Sequence, residues 1–286
     1  MFTFHATFVH KICDFSPGLY KPPGILYDKG TLHIKKVMQM VYQLIFSPTG
    51  GTQAVANALA GGQVIDLCDR SVDFSAVTLT GQDVAVIAVP SYGGRVPEIA
   101  VERLSKVQGG GARAVLVCVY GNRAYEDTLT ELADTAQAAG FRTVAAVAAL
   151  AEHSIARKYA AGRPDEADKA VLKDFWRKIQ AKLDAGDATA PALPGNRPYK
   201  KRGVRSIVPQ AGKDCTACGR CAAVCPVGAI DPAAPKVTDS SKCISCMRCI
   251  AQCPVHVRSL NPVLVAGLEL ALKPLCSARK ENELFL

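Results

Sequence analysis

Apolar residues in this chain cluster in short runs, separated by stretches with helical spacing. From Met40 onward the runs are VYQLIF (41–46), a short one at 63–67, DVAVIAV (83–89), ARAVLVCVY (112–120) and RTVAAV (142–147). Bounded by Gly, Pro, Ser and Asp, they predict five buried β-strands. Helices are predicted at 53–60, about 97–107, 125–139 and after Pro164, whose fixed φ suits a first helical turn. Strands alternating with helices imply an α/β fold, a doubly wound parallel sheet of five strands covered on both faces. Ligands of such sheets bind beyond the carboxyl ends of the strands.

The pattern also divides the chain. Residues 1–39 carry Pro17, Gly18, Pro22, Pro23, Gly24 and Gly30 without sustained periodicity, and Met38 and Met40 stand directly before the first strand. The expectation is that 1–39 is an extension foreign to the native protein or a poorly ordered arm. The α/β domain then spans 40–184, a Pro/Gly/Ala-rich linker 185–205, a cysteine-rich domain 206–258 and a helical tail 259–286, its helix at 263–277. With 49% hydrophobic and 21% charged residues, composition is that of an ordinary globule. No apolar stretch reaches the ~20 residues of a membrane span, and the N-terminus lacks the pattern of a secretory signal. The cysteine usage below points to a reducing cytoplasm.

Three loops at the carboxyl end of the sheet carry candidate chemistry. After the first strand comes Ser47-Pro48-Thr49-Gly50-Gly51-Thr52, running into a helix. Small and hydroxyl residues let backbone N–H groups approach a phosphate, and the helix N-terminus adds favourable partial charge. There is no lysine after the second glycine, as a Walker A loop requires, and no GxGxxG spacing. A bare cradle favours a monophosphate such as that of FMN, with Ser47, Thr49, Gly50, Gly51 and Thr52 as its candidates. Ser91, Tyr92, Gly93 and Gly94 follow the third strand, and Tyr120, Gly121, Asn122 and Tyr125 the fourth. Glycines beside tyrosines suit a flat ring held between backbone amides and aromatic faces; the alternative is that the tyrosines only cap the sheet. Arg95 and Arg123 are either solvated or placed to neutralise an anionic ligand. His153 faces the same end as a proton donor or, alternatively, a packing residue.

Eight of the twelve cysteines form two copies of C-x2-C-x2-C-x3-C-P, at Cys215, Cys218, Cys221, Cys225 and at Cys243, Cys246, Cys249, Cys253. This is the run of bacterial two-cluster ferredoxins, in which the fourth cysteine of each run ligates the other cluster. One 4Fe-4S cluster is therefore assigned to Cys215, Cys218, Cys221 and Cys253, the second to Cys243, Cys246, Cys249 and Cys225. Zinc, the alternative, has no use for a third cysteine at the same short spacing. The two runs align without a gap, as expected of a duplicated half-domain. Cys68 and Cys118 read as core residues.

SPTGGT after the first strand resembles the phosphate loop of flavodoxins. Together with SYGGRVP, YGNRAYED and the two cysteine runs, residues 40–286 resemble the ferrodoxin family, a flavodoxin domain fused to a bicluster ferredoxin. The resemblance implies a flavodoxin-like sheet of order 2-1-3-4-5, a small α+β ferredoxin domain, bound FMN, and electron transfer in an anaerobe. Two features depart from typical flavodoxins: the one tryptophan, Trp176, lies in the last helix of the domain, away from any flavin, and the chain is basic. Its formal charge is +9, of which five lysines against Asp14 and Asp28 contribute +3 within residues 1–39. Two anionic cubanes and an FMN phosphate, at about −2 each, bring the remainder near neutral. Nucleic acid is thus not implied. Arg197, Lys200, Lys201, Arg202 and Arg205 form a run without an acid, which is solvated or docks an acidic redox protein. The expected function is an electron carrier between clusters and FMN. Alternatives are an FMN-dependent reductase of a small substrate, or a ferredoxin with a flavin-free scaffold.

Overall fold

The computed structural model describes residues 25–28, 31–34, 40–203 and 207–286, which fall into two units divided after Met38. In the first, strands β1 (Ile25–Asp28) and β2 (Thr31–Ile34) pair antiparallel, Ile25 opposite Ile34. What else was expected of 1–39 lies outside the described residues.

The second unit is built on β3 (Val41–Ile45), β4 (Gln63–Asp66), β5 (Val84–Pro90), β6 (Arg113–Tyr120) and β7 (Arg142–Leu150), all parallel to their neighbours. Their spatial order is β4-β3-β5-β6-β7, which is the 2-1-3-4-5 order of flavodoxin-like sheets. The central strands are buried along nearly their whole length, because helices cover both faces. Helices α1 (Gly51–Leu59) and α4 (Glu166–Asp184) pack on one face through Val55, Ala56, Leu59, Leu172, Ile179 and Leu183. Between them in the chain, α2 (Glu98–Leu104) and α3 (Thr128–Ala138) cover the other through Ala100, Leu104, Leu129, Leu132 and Ala136. Pro164 does not open α4; Asp165 caps it, accepting from the Asp168 backbone N–H in a reciprocal capping box. Trp176 packs against the α1/α4 face.

In the cysteine-rich region β8 (Gln210–Ala211) pairs antiparallel with β9 (Arg258–Ser259), and the short helices α5 (Arg220–Ala223) and α6 (Arg248–Ala251) carry Cys221 and Cys249. The sequence repeat is also a backbone repeat. Left-handed conformations recur at equivalent positions, Ala217 with Ser245, Gly219 with Met247 and Gly228 with His256.

This region docks directly on the sheet. Arg103 donates from one side of its fork to Leu67 O and from the other to Pro226 O, each at 2.6 Å. Arg70 reaches Ala222 O, and Ile244 and Cys246 join the core that holds Phe46 and Leu67.

The tail was expected to be helical. It is so over α7 (Pro262–Cys276), but Glu283–Phe285 form β10, which pairs antiparallel with β7 and makes the sheet six-stranded. This covers an edge that would otherwise offer unpaired backbone groups. Among the described residues no helix is long and apolar enough to cross a membrane.

Candidate functional site

The loops after β3, β5, β6 and β7 converge on one cavity of about 390 Å3 at the carboxyl end of the sheet. The first loop contributes Thr49, Gly51 and Thr52, the second Ser91, Tyr92 and Gly93, the third Tyr120, Gly121 and Arg123, and the fourth His153. At its turn Gly50 sits at φ 94°, with nothing within 4 Å of where a Cβ would be. That left-handed turn aims the start of α1 inward, and Gly50 has no side chain to cap the helix; Ser47 Oγ takes the Gln53 N–H. The N–H groups of Gly51 and Thr52, ahead of that bond, point the helix start at an anion. The buried Thr52 hydroxyl stands beside them.

Several expected contacts do other work. Ser47 Oγ turns back to accept from Gln53 N at 2.9 Å, and Gly94 is packed so tightly under Glu126 that a Cβ would overlap it. Asn122 is buried and holds the tail: its Nδ2 donates to Cys276 O at 2.7 Å and Ala278 O at 2.8 Å. Tyr125 OH donates to Glu283 of β10, and its ring meets Tyr120 edge-on. Neither Asn122 nor Tyr125 lines the cavity; both side chains bind the C-terminal segment. The arginines are paired rather than free, Arg95 with Glu131 and Arg123 with Glu126, both in two-pronged contacts.

The basic run was read as solvated or as a docking patch. Three of its members instead pin the linker to the sheet domain. Arg197 pairs with Asp134 at 2.6 Å, Lys200 with Glu126 at 2.7 Å and Arg202 with Glu131 at 2.7 Å. Asp127 adds two backbone anchors, accepting from Asn196 N and Lys200 N. Arg205 lies outside the described residues. The sequence concealed this strap because its acidic partners are distant in the chain.

His153 Nδ1 accepts from the backbone N–H groups of Ile155 and Ala156, which leaves the ring proton on Nε2. Burial, reinforced by the Arg123 charge, holds its pKa below the usual range, so the ring is neutral near pH 7. Burial pushes the Tyr92 phenol well above its usual range, with the thiols of Cys246, Cys68 and Cys243 adding to the effect. Tyr92 lines the cavity and packs against the core cluster that contains Ile244 and Cys246.

Part of the cavity wall was not anticipated. Leu268 and Leu272 of α7 close one side, a role signalled only by the apolar run at 263–272. Ile244 and Ser245, lying between Cys243 and Cys246, form another part of the wall. Nothing in the sequence pattern links those two residues to the loops of the sheet.

The eight cysteines gather in two sets of four. Cys215, Cys218, Cys221 and Cys253 surround one small void, and Cys225, Cys243, Cys246 and Cys249 another. Within the described residues no three His, Cys, Asp or Glu side chains stand close enough to share one ion. Four thiols around each void are the donor set that a 4Fe-4S cubane takes. Burial lifts Cys246 to about 12 and Cys249 to about 11, so a bound cation is what would bring these thiols to the thiolate near pH 7. At Cys253 burial acts upward but is outweighed by backbone N–H groups of Val257, Val255, Arg258 and His256, which pull its pKa down. Such N–H donors also tune a bound cluster.

Residues 208–255 match the family of the 4Fe-4S dicluster domain. No curated protein matches the chain closely enough to count as a relative. Among solved structures, the two-electron reduced flavodoxin of Megasphaera elsdenii is similar at 18% identity and TM-score 0.34, over 47% of this chain and 96% of that one. A flavodoxin from the domain Archaea is similar at 14% identity and TM-score 0.35, over 50% and 99%. Rubredoxin oxygen:oxidoreductase from the anaerobe Desulfovibrio gigas is similar at 17% identity and TM-score 0.32, over 50% of this chain and 36% of that one. The topology and the dicluster match together make this chain a flavodoxin-like α/β domain fused to a ferredoxin-type 4Fe-4S domain, an arrangement built for electron transfer.

Proposed function

We propose that this protein passes electrons between two 4Fe-4S clusters and a bound FMN. One observation carries the reading: Ile244 and Ser245 of the second cysteine run line the same cavity as the three flavodoxin-like loops. The cluster held by Cys225, Cys243, Cys246 and Cys249 is then the flavin's neighbour. The other, held by Cys215, Cys218, Cys221 and Cys253, has the exposed Cys218 and is the port for redox partner proteins. The clusters supply one-electron chemistry and FMN one- or two-electron chemistry.

The chain's own residues have distinct tasks. Thr49, Thr52 and the first two N–H groups of α1 would bind the FMN phosphate. Tyr92 and Tyr120 would flank the ring, Gly93 and Gly121 would allow backbone approach, and Leu268 with Leu272 would exclude water. Thiolate ligands and the free thiols of Cys68, Cys118 and Cys276 call for a reducing compartment such as the cytoplasm. A second reading, reduction of a small substrate at the flavin, is favoured by His153, whose fixed tautomer offers a neutral N–H donor at the cavity wall.

The test is the cofactor content of anaerobically purified protein. Stoichiometric FMN, with iron and sulfide for two cubanes, supports the relay. Protein with clusters but no flavin, and no uptake of added FMN, reduces it to a ferredoxin on a scaffold. Turnover of a small molecule without a protein partner would favour the reductase.

A further inference from the structure

Four buried side-chain atoms lack a hydrogen-bond partner among the described residues, and three belong to the cofactor region: Ser245 Oγ, Arg248 Nε and Arg258 Nε. Arg258 is the most deeply enclosed of these residues, 3% exposed, at the start of β9. It lines the void ringed by Cys215, Cys218, Cys221 and Cys253. Its Nη1 lies 3.4 Å from Cys221 Sγ and 2.8 Å from Pro235 O, while Nη2 donates to Thr238 Oγ1 and, at 3.5 Å, to Pro209 O.

Every one of these partners is formally neutral. The buried Arg163, by contrast, is matched by Asp168. Arg103 is also buried without a carboxylate, but it spends its fork on two carbonyls and lies over the Phe74 ring, and none of its nitrogens is orphaned. A guanidinium cannot shed its charge, and a buried charge without a counter-charge is costly. An anionic cluster with thiolate ligands supplies that counter-charge.

We infer that Arg258 is the fixed counter-cation of the cluster held by Cys215, Cys218, Cys221 and Cys253, donating to Cys221 Sγ and, through Nε–H, to sulfur of the cluster. The inference rests on the reading that a 4Fe-4S cluster fills this void. Reduction adds one electron to that cluster, supplied by an external one-electron reductant, and moves no proton because Arg258 stays charged throughout. Positive charge and N–H donors at sulfur both raise a cluster's reduction potential. Arg258 is therefore a positioning and tuning residue.

The experiment is an EPR-monitored redox titration of the full chain, wild type against Arg258→Gln and Arg258→Lys, with iron content measured on each. In R258Q the equilibrium constant for reducing this cluster should fall at least tenfold, about 59 mV for one electron. In R258K, which keeps the charge but loses the fork, the fall should be smaller. Unchanged potentials in fully loaded variants overturn the inference. If R258Q assembles no clusters, wild-type protein labelled with 15N-arginine decides: 15N coupling to the reduced cluster supports it, and absence of coupling overturns it. Wild-type protein lacking iron would instead sink the reading beneath.

Discussion

The guanidinium of Arg248 donates through Nη1 to the backbone oxygen of Ser47 at 3.1 Å, tying the second cysteine run to the loop that opens α1. Its Nη2 reaches Asp66 at the end of β4, 3.2 Å away. Asp66 is partly exposed and contributes little through charge alone. The bond to Ser47 holds the second cysteine run against the loop that opens α1. Replacing Arg248 with Met should destabilise the holoprotein by about 1.5–3 kcal/mol, the range for a charge-assisted hydrogen bond, and should slow flavin reduction by the clusters. Denaturant midpoints and rapid-mixing traces on the same preparation check both effects.

Ser245 offers a sharper probe of the cavity. It adopts φ 53°, a conformation in which glycine is less strained, and its buried hydroxyl has no partner among the described residues. Ser245→Gly should leave cluster content and stability intact while weakening FMN binding roughly three- to tenfold, the effect of losing one hydrogen bond. Fluorescence titration of FMN into flavin-stripped protein measures it. Unchanged affinity would remove the hydroxyl from the flavin site.

Asn122 should behave as a tail residue rather than a flavin ligand. Asn122→Ala leaves the Cys276 and Ala278 carbonyls without their donor, and it places Ala at φ 67°. A loss of about 1–3 kcal/mol is expected. FMN should also escape faster as α7 loosens, since Leu268 and Leu272 are part of the cavity wall. Stopped-flow release of FMN, compared with Thr49→Val/Thr52→Val, separates the roles. The threonine pair should weaken binding with the tail still ordered.

The strength of each sequence signal followed the range over which its residues act. The strands were readable because Val84–Val89 and Ala114–Tyr120 are apolar on both faces, the mark of a parallel sheet between helix layers. The 2-1-3-4-5 order came with the resemblance carried by the loop after the first strand and the cysteine runs. The edge strand β10 was not readable: Glu283–Phe285 is three residues long, and its pairing with Ala146–Ala148 is long-range. The same holds for the strap, where Arg197 and Asp134 meet only after folding. At the cavity, Thr49, Thr52, Ser91, Tyr92 and Tyr120 carry local loop signals. Ser245, Arg248 and Arg258 sit among cysteines whose spacing already explains the segment, so their own chemistry was masked.

The strap also predicts a pH response. The Lys200 backbone N–H, with help from Asn196 and against burial, holds Asp127 below the usual carboxylate range; Arg197 does the same for Asp134, also against burial. Their folded pKa values are depressed, so their contribution is fully present above the unfolded value of about 3.9 and is lost as pH falls through the lower folded values. Hydrogen exchange over 196–202 should stay slow at neutral pH and accelerate below about pH 4. In Asp127→Asn the same segment should exchange faster already at neutral pH.

The proposed relay passes electrons between clusters and flavin inside one chain. Its most direct test is anaerobic rapid mixing of FMN-loaded protein with a one-electron reductant, following cluster bleaching and flavin absorbance together over a range of protein concentrations. In such a relay clusters bleach first, and flavin then reduces at a rate independent of protein concentration. Flavin that stays oxidised beside reduced clusters, or a rate that scales with protein concentration, would contradict it.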